Sequence, residues 1–244
     1  MRCPGCRALV RGAPTFCASC GYRLSGRQPN AQRGALLSIV ISVLGAYAAL
    51  LGVGAVAPED GTVTGELIGG LLWLAALGGV LLLALLPLGL RNWRRCFPLS
   101  LDLRGALLGL AGGAAALAAS AVYLFALRAL SGEAQGEPDL TEPTPFVVAL
   151  FTWVLFPAVV EELADRGVLW EALRRITGVG GTILGTALVF AFLHGLGEGA
   201  FLEIPHRFAM GLVFGWLRAR TGSLAPCMIA HGANNFVALW LDAA

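Results

Sequence analysis

Residues 67–90 read LIGGLLWLAALGGVLLLALLPLGL, an unbroken run of 24 residues without Asp, Glu, Lys or Arg. A helix rises about 1.5 Å per residue, so about 20 apolar residues cross the ~30 Å hydrocarbon core of a bilayer. Comparable uncharged runs are Gly34–Ala57, Gly105–Leu127, Pro143–Val160, Ile176–Gly197 and Thr221–Leu241. A shorter apolar stretch, Phe208–Leu217, completes a further crossing with its flanks. The runs predict an all-α polytopic membrane protein with about seven transmembrane helices; six helices and a re-entrant segment are the alternative.

The composition of the 244-residue chain agrees, since 57% of its residues are hydrophobic, 13% are charged and the mean hydropathy is +0.76. Soluble domains carry about 25% charged residues, so this chain has too few charges to cover a water-exposed globule. A formal net charge of +2 with high hydrophobicity also excludes a disordered polymer. The basic residues are all Arg and are dispersed along the chain, so we expect no nucleic-acid partner.

The charge of the connections alternates along the chain. The segment before the first run and residues 91–104 are rich in Arg, whereas residues 59–66 and 133–142 are acidic. Because Arg-rich short loops stay in the cytoplasm, the amino terminus is predicted to be cytoplasmic. A polar segment of about 30 residues precedes Gly34 and no small-residue cleavage site follows the first run, so that run is a permanent span. The expected location is the inner membrane of a bacterium.

Residues 1–25 are a different kind of sequence, because they hold two CxxC pairs, Cys3 with Cys6 and Cys17 with Cys20. Four thiolates at this spacing are typical of a closed tetrahedral zinc site, with disulfides as the alternative. A reducing cytoplasm favours zinc. The segment resembles short zinc ribbons attached to bacterial membrane proteins. We therefore predict a structural zinc ribbon over residues 1–25 that recruits a protein partner, followed by a linker over residues 26–33.

Residues 156–166, FPAVVEELADR, place four ionisable side chains directly after an uncharged run: Glu161, Glu162, Asp165 and Arg166. On insertion scales each ionised residue at mid-membrane costs about 2.5 to 3.5 kcal/mol. The next residues are again mostly apolar, and Arg174 and Arg175 make a better membrane boundary. The cluster is therefore predicted to lie inside the membrane and to face protein or water.

Helical spacing divides the cluster. Glu162 and Arg166 are four residues apart and share a face, which predicts a buried ion pair. Glu161 points about 100° away and lacks that partner, as suits a general base. Pro157 predicts a kink and a carbonyl group without its usual N–H donor.

Two of the three histidines fall inside predicted spans, His194 with Phe190 one turn before it and His231 with Asn235 one turn after it. Counted from the predicted inner surface at about 1.5 Å per residue, Glu161 and these polar residues all lie roughly 15 to 21 Å deep. Helices that are separate in sequence thus bring polar groups to one layer.

At these residues the chain resembles the CPBP family, the intramembrane CAAX prenyl endopeptidases and bacteriocin-processing proteases. EExxxR is matched by Glu161, Glu162 and Arg166, FxxxH by Phe190 and His194, and HxxxN by His231 and Asn235. The resemblance covers roughly residues 100–241. It implies a protease core over residues 101–244, preceded by N-terminal transmembrane helices over residues 34–100.

The resemblance also implies roles for the matched residues. Glu161 would be the base that activates water and His194 its partner in positioning that water. His231 and Asn235 would stabilise the oxyanion, while Glu162, Arg166 and Phe190 would support the site. The implied substrate is a membrane-associated peptide or protein.

A catalytic metal is the open point of the implied mechanism. Glu161, His194 and His231 are ligand types that zinc accepts, but HExxH is absent from the chain, and water activated by Glu161 without metal is favoured. Two other functions stay open: a non-catalytic membrane immunity or scaffold protein of the same fold, and a proton-coupled transporter that uses Glu and His as relays.

Overall fold

The computed structural model describes residues 2–3, 8–10, 17, 24, 29–57, 62–131, 146–197 and 201–242. Within these residues the structure is helical, apart from connecting segments and one isolated bridge between Arg2 and Leu9. Cys3 and Cys17 are buried beside Val10 and Leu24. Cys6, Cys20 and most of the acidic loop residues lie outside the described residues, so the zinc ribbon and the orientation of the chain stay predictions.

Eight helices organise the described residues from position 29 onward. They are α1 Pro29–Val56, α2 Val63–Leu88, α3 Trp93–Cys96, α4 Leu103–Ser131, α5 Phe146–Ile176, α6 Val179–Gly197, α7 Ile204–Thr221 and α8 Ala225–Asp242. Short 3₁₀ turns, Leu90–Asn92 and Phe201–Glu203, precede α3 and α7.

Five of these helices have the length and hydropathy of membrane spans: α1, α2, α4, α5 and α6. They confirm an all-α architecture consistent with a membrane protein. In α7 and α8 polar side chains, including His206, His231 and Asn235, lower the hydropathy of helices that have only 18 residues each. Of the seven predicted spans, five correspond to helices with the length and hydropathy of a membrane span. The other two spans stay a prediction.

Helix α5 carries the charged cluster through its middle. It runs unbroken from Phe146 to Ile176, so the span continues past the uncharged run that ends at Val160. Two segments of α5, Leu150–Leu155 and Leu163–Leu169, are wound as π-helix. Such widened turns are frequent at functional sites. Here they lie on both sides of Glu161 and Glu162.

The helices of the second half pack closely because small residues line their contacts. A Cβ atom at Gly109 of α4 would lie 2.9 Å from the carbonyl oxygen of Pro226 at the start of α8. One at Gly211 of α7 would lie 2.8 Å from the Cα atom of Ala187 of α6. A core of buried side chains fills the centre of this half: Ala116, Phe190, Met210, Phe214, Leu217, Cys227 and Ala230.

Helices α2 and α5 end at the same level of the molecule, because Arg175 donates a hydrogen bond from Nη2 to the carbonyl oxygen of Leu88 at 3.3 Å. Helix α1 begins at this level too, since a Cβ atom at Gly34 would meet the carbonyl oxygen of Pro87. Thus α2 and α5 run in one direction and α1 runs in the other.

The connection between α3 and α4 is tied to the turn between α7 and α8. The Ser223 hydroxyl donates to the carbonyl oxygen of Ser100 at 2.6 Å and accepts from the Ser100 amide at 3.0 Å. Cys96, in α3, is fully buried, and this burial raises the pKa of its thiol to about 12. This thiol is accordingly unreactive in the folded protein.

Candidate active site

Helices α5, α6 and α8 bring Glu161, His194 and His231 together. Glu161 Oε2 lies 3.5 Å from His194 Nε2 and 3.9 Å from His231 Nε2. Glu161 Oε2 is buried and has no hydrogen-bond partner among the residues that the structure describes. The two histidines therefore point the same ring nitrogen at one oxygen atom of the carboxylate.

The other ring nitrogen of each histidine has its own partner. His194 Nδ1 lies 2.8 Å from the carbonyl oxygen of Phe190, and His231 Nδ1 lies 3.1 Å from Glu162 Oε1. A carbonyl oxygen can only accept, so Nδ1 of His194 carries a proton. In the neutral imidazole this leaves Nε2 of His194 as an acceptor that faces Glu161.

Two acceptors at 3.5 Å repel unless a proton or a donor stands between them. A water molecule can meet this need, because it can donate one hydrogen to the carboxylate and the other to the imidazole. The arrangement is thus suited to hold a water molecule and to remove its proton.

Glu162 and Arg166 form the buried ion pair that their spacing predicted. Arg166 Nη1 lies 3.0 Å from Glu162 Oε1, and both side chains are 0% exposed. The same oxygen atom of Glu162 accepts a hydrogen bond from His231. The Glu162 carboxylate therefore binds Arg166 of its own helix and His231 of α8. Asp165 adds a longer contact, with Oδ2 at 3.5 Å from Arg166 Nη1.

Helix α7 completes the surroundings of Arg166, a contribution that the sequence motifs did not reveal. Arg166 Nη2 donates to the carbonyl oxygen of Gly211 at 3.2 Å. The guanidinium group lies over the rings of Phe190 and Phe214, 4.9 and 5.3 Å from their centroids. Arg218 donates from Nε to the main-chain carbonyl oxygen of Arg166 at 3.0 Å.

Aromatic rings fix both histidines. Phe190 contacts His194 with 4.4 Å between ring centroids, and it meets His231 edge-on at 5.8 Å. Phe214 stacks on His231 at 5.1 Å with 20° between the ring planes. Phe190 thus contacts both histidines and Phe214 contacts His231, while the supporting role of Phe190 stays a prediction.

Asn235 contacts α5 rather than Glu161. Its Nδ2 donates to the carbonyl oxygen of Trp153 at 3.2 Å. Trp153 lies four residues before Pro157, which has no N–H, so this is the carbonyl that Pro157 leaves without its α-helical donor. The neighbouring Asn234 is buried and donates to Asn235 Oδ1 at 3.4 Å. The side-chain amide of Asn235 has two N–H groups, and the bond to Trp153 takes one of them.

A cavity of about 230 Å³ opens beside Glu161 and His194. Its walls come from four helices, including two that the sequence placed outside the protease core. The lining residues are Ser42, Ala46 and Leu50 of α1; Trp73, Leu77, Val80 and Leu81 of α2; Glu161, Ala164, Asp165 and Leu169 of α5; and Val189, Phe190, Leu193 and His194 of α6.

The sequence holds a second polar group, Glu198, Glu203, His206 and Arg207, that indicates an interfacial turn or a role in substrate entry. Three of its members lie at or next to the start of α7. Glu203 and Arg207 form an ion pair with 3.0 Å between Oε2 and Nη2. The hydroxyl of Tyr123 donates to the carbonyl oxygen of Leu202, and the ring of Tyr123 contacts that of His206 at 5.5 Å. Glu198, the remaining member of this group, lies outside the described residues.

Metal binding is not evident in the described part of the chain, where no three His, Cys, Asp or Glu side chains are arranged to hold an ion. A tetrahedral zinc ion places its donor atoms about 3.4 Å from one another. Glu161 and His194 approach this spacing at 3.5 Å, whereas His231 is further away at 3.9 Å. The donor types thus suit zinc better than their positions do.

Comparison with known proteins gives one family. Residues 143–237 match the model of the type II CAAX prenyl endopeptidase Rce1-like family. No curated protein and no solved structure matches the chain. The matched residues include Glu161, Glu162, Arg166, His194, His231 and Asn235, but neither α1 nor α2. This part of the chain is therefore similar to the type II CAAX prenyl endopeptidases, in agreement with the resemblance carried by its motifs.

Proposed function

We propose that the protein is an intramembrane endopeptidase that hydrolyses a membrane-associated peptide or protein with water activated by Glu161 and His194. The observation that supports this most directly is the approach of two acceptors, Glu161 Oε2 and His194 Nε2, at 3.5 Å beside a cavity. A bound water donates one hydrogen to each, and its oxygen is then directed at the scissile carbonyl carbon.

In the first step Glu161 takes a proton from the water as the water oxygen bonds to the carbonyl carbon. The carbonyl π electrons move to oxygen and form a tetrahedral oxyanion. Glu161 then returns the proton to the amide nitrogen, the C–N bond breaks, and the products are a carboxylic acid and an amine. His194 accepts a hydrogen bond from the other hydrogen of the water, which stays on the new hydroxyl group in the tetrahedral intermediate.

The oxyanion needs hydrogen-bond donors, and His231 and Asn235 are the proposed source. His231 uses Nδ1 to donate to Glu162, so it can donate through Nε2 only with a proton on each ring nitrogen. The ion pair of Glu162 with Arg166 holds that imidazole in place. Asn235 has one N–H left after its bond to Trp153.

Glu161→Gln tests the proposal, with Glu171→Gln as the matched control on the same helix. Removal of a general base lowers turnover by about 10²- to 10⁴-fold, and His194→Gln should cause a similar loss. Glu171 is paired with Arg175 near the end of α5, so its variant should keep turnover within about twofold of the wild type. The measurement is hydrolysis of a membrane-anchored fluorogenic peptide by purified protein in liposomes.

Full activity of both Glu161→Gln and His194→Gln would overturn the proposal. A wild-type protein that binds peptides but hydrolyses none would instead favour the non-catalytic immunity or scaffold protein. Proton-coupled flux into liposomes that survives loss of His231 and Asn235 would favour the transporter.

A catalytic metal would be held by Glu161, His194 and His231 if these residues moved closer together, and it would make the bound water more acidic. Dialysis against a chelator distinguishes the two mechanisms. We expect turnover to survive chelation. In protein from which residues 1–25 have been removed, we expect no bound metal per chain. Loss of turnover on chelation and recovery with zinc would establish the metal mechanism.

For the amino-terminal segment we retain a structural zinc ribbon as part of the proposal, with a protein partner as its ligand. Cys3 and Cys17 lie buried near Val10 and Leu24, a small core that a metal would have to stabilise. One zinc ion per chain, lost in Cys3→Ser, is the expected result. A Cys3→Ser variant with unchanged zinc content would contradict it.

A further inference from the structure

The cavity beside Glu161 is built from four helical stripes. Each wall has residues about four positions apart, such as Ser42, Ala46 and Leu50 on α1. This spacing places one face of each helix toward the cavity over about 12 Å of length. Helices α1 and α2 lie outside residues 143–237, so the family match does not account for half of the walls.

The levels of the wall residues follow from the common end of α2 and α5. Trp73 lies 15 residues before Leu88, and Glu161 lies 14 residues before Arg175. At about 1.5 Å per residue both are roughly 21 to 23 Å from that end. By the same count Leu77 lies opposite Asp165 and Leu81 opposite Leu169. Glu161 is therefore at one end of the cavity, and a mostly apolar chamber, with Ser42 and Asp165 as its other polar lining residues, extends from it along α2.

The chamber is large enough for one bulky side chain. A cavity of about 150 Å³ with apolar walls binds benzene, and this one has about 230 Å³. Small residues, Ala46 of α1 and Ala164 of α5, leave this space between larger neighbours. Because Glu161 and His194 open into the same cavity, a group that fills it during the reaction must be attached to the peptide at the scissile bond.

On the basis of the proposed function, we infer that this chamber binds one bulky apolar side chain next to the scissile bond, and that Ala46, Trp73 and Leu77 limit its size. These residues determine specificity without contact to the reacting atoms. The N-terminal helices are thereby part of the substrate site.

Ala46→Phe tests the inference by filling the chamber, and Ala48→Phe is the matched control. Ala48 lies on the exposed face of the same helix and is not part of the cavity wall. Membrane-anchored peptides carry either Phe or Ala at each of the two positions that flank the scissile bond. We expect the wild type to favour Phe over Ala by about 10-fold or more in kcat/KM at one of these positions.

In Ala46→Phe this preference should fall at least tenfold, while the Ala peptide is still cleaved and Ala48→Phe behaves like the wild type. An unchanged preference in Ala46→Phe would overturn the inference even though the protein is a protease. A wild type without preference for either residue would overturn it as well.

A binding measurement separates the inference from the proposed function. Inactive Glu161→Gln protein is irradiated with peptides that carry a photoreactive phenylalanine analogue at the same two positions, and the attachment sites are located by mass spectrometry. Attachment within residues 34–57 or 67–90, reduced at least fivefold by Ala46→Phe but not by Ala48→Phe, is the expected result. Such labelling without hydrolysis by the wild type would overturn the proposed function alone, and attachment confined to other helices would overturn the chamber alone.

Discussion

Glu161 and Glu162 are neighbours in sequence, yet their surroundings differ. Glu161 is 16% exposed and borders the cavity, and its Oε2 atom lies 3.5 and 3.9 Å from ring nitrogens of His194 and His231. Glu162 is 0% exposed and is compensated by Arg166. The two side chains point about 100° apart on α5. Helix α5 therefore presents one carboxylate to the cavity and holds the other in an ion pair with Arg166 of the same helix.

The largest expected effect concerns the fixed side of this pair. Arg166→Met should lower the free energy of unfolding by about 3–5 kcal/mol, because the buried Glu162 carboxylate is left without its counter-charge. Glu161→Gln should leave it unchanged or raise it, because the substitution removes a charge whose Oε2 atom is buried without a hydrogen-bond partner among the described residues. Unfolding is followed by circular dichroism in detergent mixtures.

Arg175→Met is the control for Arg166→Met, because Arg175 pairs with Glu171 in the same α5 spacing but both are partly exposed. Its cost should be smaller, about 1–2 kcal/mol, because it removes a partly exposed ion pair and the hydrogen bond to the carbonyl oxygen of Leu88. The double variant Glu162→Met/Arg166→Met should recover part of that stability, because the Glu162 carboxylate is removed together with its partner while Asp165 still lacks its contact with Arg166. It should stay inactive, since His231 loses its acceptor. Equal costs for Arg166→Met and Arg175→Met would contradict the distinction between the two sides of α5.

Much of this comparison could be predicted from the sequence. The uncharged runs predicted the helices, and the four-residue spacing of Glu162 and Arg166 predicted their contact, because local helix geometry decides both. The common depth of Glu161, His194 and His231 followed from counting residues along helices. Pro157 predicted a carbonyl group without its donor.

Contacts between distant helices could not be predicted in this way. His231 is 69 residues from Glu162, and helical spacing carries no information about which face of α8 meets α5. Trp73 and Leu77 belong to a run that is apolar on all sides, so nothing in the sequence separates a cavity wall from a lipid-facing surface. Asn235 could not be assigned to Trp153 for the same reason.

A second, smaller effect concerns Asn235, which contacts α5 at the carbonyl oxygen of Trp153 and not at Glu161 or Glu162. Asn235→Ala should cost about 1–3 kcal/mol of stability, because the carbonyl group of Trp153 loses its donor. Pro157→Ala in the same protein restores a main-chain N–H four residues after Trp153 and should recover most of that stability. Unfolding and peptide hydrolysis are measured for both variants.

The double variant Asn235→Ala/Pro157→Ala then separates two roles of Asn235. If Asn235 also donates to the oxyanion, turnover stays low although stability returns. Recovery of turnover together with stability would assign Asn235 to the support of α5 and would leave His231 as the proposed oxyanion donor.

The smallest expected effect concerns Phe214, whose ring lies between the two sides of the comparison: it stacks on His231 and lies under Arg166. Phe214→Leu keeps an apolar side chain but removes the ring, so it should cost about 0.5–1.5 kcal/mol of stability. Phe236→Leu is the control, because Phe236 is exposed and touches only Phe146 among the described ring contacts. If the ring also orients His231, kcat falls in Phe214→Leu while KM is unchanged, and Phe214→Tyr restores kcat. Equal kcat values in Phe214→Leu and Phe236→Leu would show that Glu162 and Phe190 are sufficient to orient His231.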